Sequence, residues 1–382
     1  MKFAITAALI ATAVATLEHD SSAHASPARK IPQDLKPITS SDWSGVPGLI
    51  IKAELPRANI FQYSARVKYM DKEGMLRCNV VGLQKERMVR IAGHLSEGKN
   101  RPGLAFISAD SFPKIENTTM VNGQHCTLTT WPESVSLKEY VQDMTPAQKD
   151  KVLPAIFVQV ISAFRYLESM GFIYDTIGPE SIMICSNLVN EVPNVIVADL
   201  HYIWGRYGYS RTEDYITLWQ GSDPENFENE RGYRAPEDYG PLEVIFMEKR
   251  ISWMLGATIY GTLAGMPPYG FTKTLDGIVP WESGRLKKVM KDLQTFGNST
   301  YPPVETSNDH LAALMNILLN RDPQARPAIK DLDLDLIKKL ADGSNIKLMP
   351  EASRVTLWGL LSGLMTVEQQ PNAPMMPLDE ME

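Results

Sequence analysis

The sequence predicts an α+β fold in two lobes, a small antiparallel β-rich N-lobe followed by a larger α-helical C-lobe. Three observations predict it. Short apolar runs of strand length crowd residues 48–132. After Pro132 the apolar spacing changes to a helical period. No segment repeats at a fixed interval, which excludes a solenoid or propeller.

The strand candidates of the first lobe are 49–55, 61–70, 75–81, 104–108 and 125–130, interrupted by one helical stretch at 85–95. Beyond Pro132 a helix is expected over 136–142 and a longer one over 154–170. In the latter Ile156, Val160, Ala163, Phe164 and Leu167 share one face, Gly171 marks the end, and Pro154 marks a start or a kink. Short strands recur at 181–185 and 194–198, and helices dominate from 250 to 340. The expected division is a signal peptide at 1–25, a polar linker at 26–47, the N-lobe at 48–132, the C-lobe at 133–342, and a C-terminal helix with a loose tail at 343–382. In that last stretch Leu357, Trp358, Leu361, Leu364 and Met365 form one apolar helical face, too short to span a bilayer.

The chain has 382 residues, 44% hydrophobic and 22% charged, which suits packed domains and excludes bulk disorder. Lys+Arg number 38 against 45 Asp+Glu, a net charge of −7, the wrong sign for a surface that neutralises nucleic-acid phosphates. The apolar run 3–17 is short for a membrane span but suits a signal-peptide core, and Ala23-His24-Ala25 supplies small residues at a cleavage site. The expectation is a secreted chain with no transmembrane segment once the leader is removed. Cys78, Cys126 and Cys185 permit at most one disulfide; each sits in an apolar run, so they read as three small buried hydrophobes. Paired Cys-x-x-Cys and His-x-x-x-His spacings are absent, which leaves structural zinc without support. Two glycosylation sequons, Asn117-Thr118-Thr119 and Asn298-Ser299-Thr300, fit a secretory route.

The order of motifs in the second lobe resembles the eukaryotic protein-kinase family. Residues 166–184, with the pair Pro179-Glu180 fixing the register, look like the family's helix, catalytic loop and following hairpin, where the pattern is H-R-D-L-K-P-E-N-I. Ile196-Val197-Ala198-Asp199-Leu200 resembles the strand leading into D-F-G, and Gly232-Tyr233-Arg234-Ala235-Pro236-Glu237 the end of an activation segment. Trp253 to Tyr260, with Gly265-Met266-Pro267-Pro268-Tyr269, looks like the central buried helix and its following loop. Leu318 to Pro327 resembles L-x-x-D-P-x-x-R-P. The resemblance covers residues 50–340, and it implies a buried structural ion pair between Glu237 and Arg326.

The same register implies that the chemistry is missing. The catalytic aspartate falls on Thr176, the phosphate-contacting lysine on Gly178 and the metal-binding asparagine on Ser181. Thr176 cannot take up a proton near neutral pH, and only Asp199 remains as a vestigial magnesium ligand, a poor metal site by itself. Pro56, Ala58 and Phe61 stand at the glycines of the nucleotide loop, and Asn79 stands at the position of the phosphate-binding lysine. Lys85, Arg87 and Arg90, on the helix at 85–95, are the cations that can substitute for it, and the register does not fix Glu86 as the ion-pair glutamate. The loop's supporting aspartate is Ile251, and the loop's His and Arg are Tyr174 and Asp175, so apolar packing of Tyr174 and Ile251 is expected to hold the loop. No cofactor is expected: neither ATP nor magnesium fits the usual pose.

The resemblance therefore implies a secreted kinase-like pseudoenzyme, a protein-binding effector or regulator without catalysis. Between Asp199 and Glu237, Tyr202, Trp204, Tyr207, Tyr209, Tyr215, Trp219 and Phe227 are interleaved with Glu213, Asp214, Asp223, Glu225, Glu228 and Glu230, which suits a basic protein partner. The competing readings are a divergent active protein kinase and a nucleotide transferase on a kinase-like fold.

Overall fold

A computed structural model of the chain describes residues 36–55, 63–79, 111–169, 172–174, 176–189, 192–198, 200, 203–205, 231–240, 247–282, 284–296 and 301–342. The expected signal peptide, the helix at 85–95, the strand at 104–108 and the C-terminal helix lie outside these residues.

Five antiparallel strands open the fold: β1 (Leu49–Glu54), β2 (Tyr63–Tyr69), β3 (Lys72–Asn79), β4 (Lys114–Val121) and β5 (Gln124–Trp131), ordered β1-β2-β3-β5-β4. Period-two alternation sorts their side chains onto two faces. Tyr63, Ala65, Val67, Leu76, Cys78, Cys126 and Leu128 are buried on one of them. Ile38 and Trp43 complete that cluster, at 4% and 5% exposure. Residues 36–47 fall in the expected linker and are mostly exposed, but Ile38 and Trp43 within them pack into this cluster. A 3-10 turn at Ser40–Trp43 places the tryptophan, and the Asp42 carboxylate accepts from the Thr39 backbone N–H at 2.9 Å.

Cys78 and Cys126 stand directly opposite each other on β3 and β5 and form a disulfide. This corrects the reading of three simple buried hydrophobes, which holds only for Cys185. Strand β4 was not expected at all. Its signal is Asn122-Gly123, both with positive φ (49° and 77°), the two-residue turn that closes the β4–β5 hairpin.

The helical region begins with α1 (Leu137–Val141), capped by Ser136 and Glu139. Next is α2 (Pro146–Ser169), which starts well before the expected boundary and carries Pro154 inside it. Thr145 explains the start: its hydroxyl accepts from the Gln148 N–H at 3.3 Å while the Gln148 side chain accepts from the Thr145 N–H at 2.8 Å. Pro146 sits at the first helical position, where a missing N–H costs nothing. Leu153, Ile156, Phe157, Val160, Ile161, Phe164 and Leu167 of α2 are buried in the main core.

Short strands follow: β6 (Ser134–Ser136) pairs with β8 (Ile182–Val189), which pairs with β9 (Val192–Val197), while β7 (Phe172–Tyr174) pairs with β10 (Ile203–Gly205). Helix α3 (Met247–Ala264) is buried on almost every side from Arg250 to Leu263. Lys149 of α2 closes its C-terminus by donating from Nζ to the carbonyls of Thr262 and Leu263 at 2.8 and 3.1 Å. A hairpin then interrupts the expected helical run: β11 (Phe271–Thr274) and β12 (Gly277–Pro280). The chain continues with α4 (Arg285–Phe296), α5 (Asp309–Leu318) and α6 (Leu334–Asp342). Among the described residues no helix is long and apolar enough to cross a membrane.

Candidate functional site

The loop carrying Thr176, Gly178 and Ser181 leaves β7 and enters β8. Tyr174 anchors its near end, 1% exposed and packed edge-on against Phe164 at 5.3 Å between ring centroids. Ile251 is equally buried and belongs to the same large core cluster. At the far end the Pro179 carbonyl accepts from the Lys138 N–H at 3.1 Å. Thr258 of α3 lies beneath the loop, but its hydroxyl is bonded to the Met254 carbonyl at 2.7 Å and reaches Ile177 O only at 3.5 Å.

Thr176 is buried at 6% exposure. Ser181 is turned into the loop itself: its hydroxyl accepts from the Gly178 N–H at 3.1 Å and donates to the Gly178 carbonyl at 2.9 Å. The Ser181 N–H bonds the same carbonyl at 3.1 Å. The side chain is thus a turn-closing device, satisfied on both its donor and its acceptor side. Asn79 ends β3 in register with His125. Asp175 and Asp199 lie outside the described residues, as do Pro56, Ala58, Phe61, Lys85, Glu86, Arg87 and Arg90.

One cation on β3 was overlooked. Arg77 is paired in register with Ser64 and Thr127, and all three are buried, at 8%, 3% and 5% exposure. Strand alternation puts Arg77 on the face of Met75, which packs against Trp131, Met183, Cys185, Ile196 and Ala198. A guanidinium therefore lies on the sheet face turned toward β8 and β9. The signal was available in the two-residue period from Met75, which also points Cys78 to the opposite face. Cys185, in the cluster next to Met75, is a free buried thiol that burial pushes up to about 11, so it stays protonated and inert.

Among the described residues, two buried ion pairs brace the helical region. Arg326 (0% exposed) donates to the Glu237 carboxylate at 2.7 and 3.2 Å. It also donates to the carbonyls of Asn320 at 2.8 Å and Lys249 at 2.7 Å, with its guanidinium 5.1 Å from the Trp253 ring centroid. The second pair was not anticipated: Arg250 Nε lies 2.7 and 2.8 Å from the two Asp238 oxygens, with side chains 0% and 1% exposed. Its two members neighbour Glu237 and Ile251, so the sequence signal was an ionisable residue inside each of two motif-rich, apolar stretches. Gly232 fixes the approach to Glu237. Its φ is +81°, and a Cβ there would lie 2.1 Å from the Tyr269 carbonyl. Among the described residues no cluster of three or more His, Cys, Asp or Glu is arranged to hold a metal.

No protein-family model matches the chain. A probable serine/threonine-protein kinase, nek1 of Dictyostelium discoideum, is 22% identical over 284 residues, which cover 69% of this chain. The chain is protein-kinase-like. It spans about half the length of that relative (51%). The β-sheet region followed by a helical region agrees with this likeness, as does the order of the loop, the Glu237 turn, the buried α3 and the Arg326 segment.

Proposed function

We propose that this kinase-like chain is a pseudoenzyme that works by binding another protein, outside the reducing cytosol. The observation that carries the reading is the Ser181–Gly178 turn. Phosphoryl transfer needs groups aimed at the phosphates and metal ions. Here the hydroxyl at the metal-ligand position is bonded twice to its own loop backbone, and Thr176 at the base position is buried. Ser181 serves the loop's own conformation.

Two further features support the rest of the reading. The Cys78–Cys126 disulfide, a bond that persists mainly in oxidising compartments, supports the placement outside the cytosol, as does the apolar run at 3–17. The β11–β12 hairpin offers Leu275 (106% exposed) at its tip with Ile278 and Val279 half-exposed beside it, an apolar projection of the sort that partner proteins cover. The acidic and aromatic stretch at 206–230 lies outside the described residues and remains the proposed surface for a basic partner.

A thermal-shift titration with ATP and Mg²⁺ tests the central claim; no shift at millimolar ligand is expected. Radiolabelled phosphate incorporation into protein by the wild type would overturn it.

A further inference from the structure

Strand β4 carries a site that the kinase-like reading does not use. It is an outer strand of the five-stranded sheet, and among the described residues nothing pairs with its far edge. The first half of the strand carries charge: Lys114 is exposed, and Glu116 sits at an irregularity in the β4–β5 register and reaches inward over the sheet, held by Lys72 at 3.2 Å, Lys114 at 3.1 Å and Thr130 at 2.8 Å. The second half, Asn117 to Val121, has no charge and exposes Met120 at 50%. Unpaired, uncharged strand edges recruit other strands, and native proteins protect them.

Asn117-Thr118-Thr119 lies on this stretch. Alternation places Asn117 and Thr119 on one face, both exposed, and the half-buried Thr118 on the other. Among the described residues, no hydrogen-bond partner meets the Asn117 amide. We propose that Asn117 is N-glycosylated and that its glycan shields the open edge of the sheet. The inference rests on the secretory part of the proposed function. In the transfer, a lipid-diphosphate-linked oligosaccharide is the donor. Its anomeric carbon–oxygen bond to the diphosphate breaks, a bond forms to Asn117 Nδ2, the amide gives up a proton, and the lipid diphosphate leaves.

The test is peptide mapping of the full chain secreted from a eukaryotic host, digested without reductant, before and after peptide N-glycosidase treatment in heavy-oxygen water. The expected result is labelled aspartate at position 117 together with a Cys78–Cys126-linked peptide. Asn117→Gln and Thr119→Ala should lose the glycan, and Thr119→Ser should keep it. A linked cysteine pair with bare Asn117 overturns the glycan assignment and leaves the compartment standing. Free Cys78 and Cys126 with bare Asn117 overturn both. For the shielding role, Asn117→Gln should aggregate several-fold faster than wild type by light scattering at equal concentration; equal rates would remove it.

Discussion

Removing either partner of the Glu237–Arg326 pair should cost several kcal/mol, and the two losses should differ in a direction the geometry sets. In Glu237→Ala the guanidinium, 0% exposed in the intact protein, loses its counter-charge but keeps the carbonyls of Asn320 and Lys249 and the face of Trp253. Its charge is uncompensated while most of its hydrogen bonds survive, so the loss should sit near the lower end of the ~3–5 kcal/mol range for breaking a buried pair. In Arg326→Ala the carboxylate, 12% exposed, can be rehydrated. Two carbonyls however lose a charged donor and a cavity opens beside Trp253, which puts this variant near ~5 kcal/mol. The double variant should lose less than the sum, since the second removal takes away a group already stranded. Urea unfolding followed by tryptophan fluorescence and circular dichroism measures all four proteins. Losses below about 1 kcal/mol for both single variants, the value for exposed pairs, would refute the reasoning, as would strict additivity.

Burial, opposed by Lys330 and reinforced by Glu248 and Asp331, pushes the Glu168 carboxyl up to about 7 from the usual 4.5. The folded state therefore holds a proton that the unfolded state releases, and stability should fall as pH rises from about 4.5 through about 7, by on the order of 3 kcal/mol. Glu168→Gln should flatten that slope in melting curves across the interval; an unchanged slope would assign it to another group. Breaking the Cys78–Cys126 bond, whose partners are 48 residues apart, should cost about 2–4 kcal/mol on the chain-entropy account. Serine variants that melt with the oxidised wild type would contradict this. Ser181→Asn removes the hydroxyl that closes on Gly178; it should lower stability by about 1 kcal/mol and yield no phosphate incorporation. Label appearing in that variant would show that the loop needs only one side chain to be restored.

The parts of this fold legible in the sequence are those where motif spacing or period is enforced by burial. Pro179-Glu180, Ala235-Pro236-Glu237 and Arg326-Pro327 set the register of the helical region because each lies at a crowded turn, and α2 declared itself through a long buried stripe. Elements at the surface were lost. Strand β4 is half solvent-facing and rich in Asn and Thr, so its apolar alternation is faint, although Asn122-Gly123 announces the turn that follows. The β11–β12 hairpin is exposed on both faces, which leaves no alternating pattern to read. Within the candidate site, identities were readable but commitments were not. That Ser181 would be a serine was plain from the register; that its hydroxyl would be spent on Gly178 depends on loop geometry. Arg77 and the Arg250–Asp238 pair were missed because a buried charge leaves no trace in a hydrophobic pattern beyond its own interruption of it.

The disulfide between β3 and β5 has a consequence for how this chain can change over time. It brings residues 48 apart in sequence to a Cα–Cα distance of 4.0 Å and welds the intervening chain into a closed ring. Everything inside the ring, β4 with Asn117 included, hangs from a covalent clasp. Lengthening a loop already closed costs little, about 0.6 kcal/mol for each doubling, and here that cost no longer falls on the β3–β5 pairing. The sheet's register at β3 and β5 is therefore held covalently whatever length of chain joins them, so related chains should tolerate changes of length between Cys78 and β4 sooner than anywhere else in the sheet.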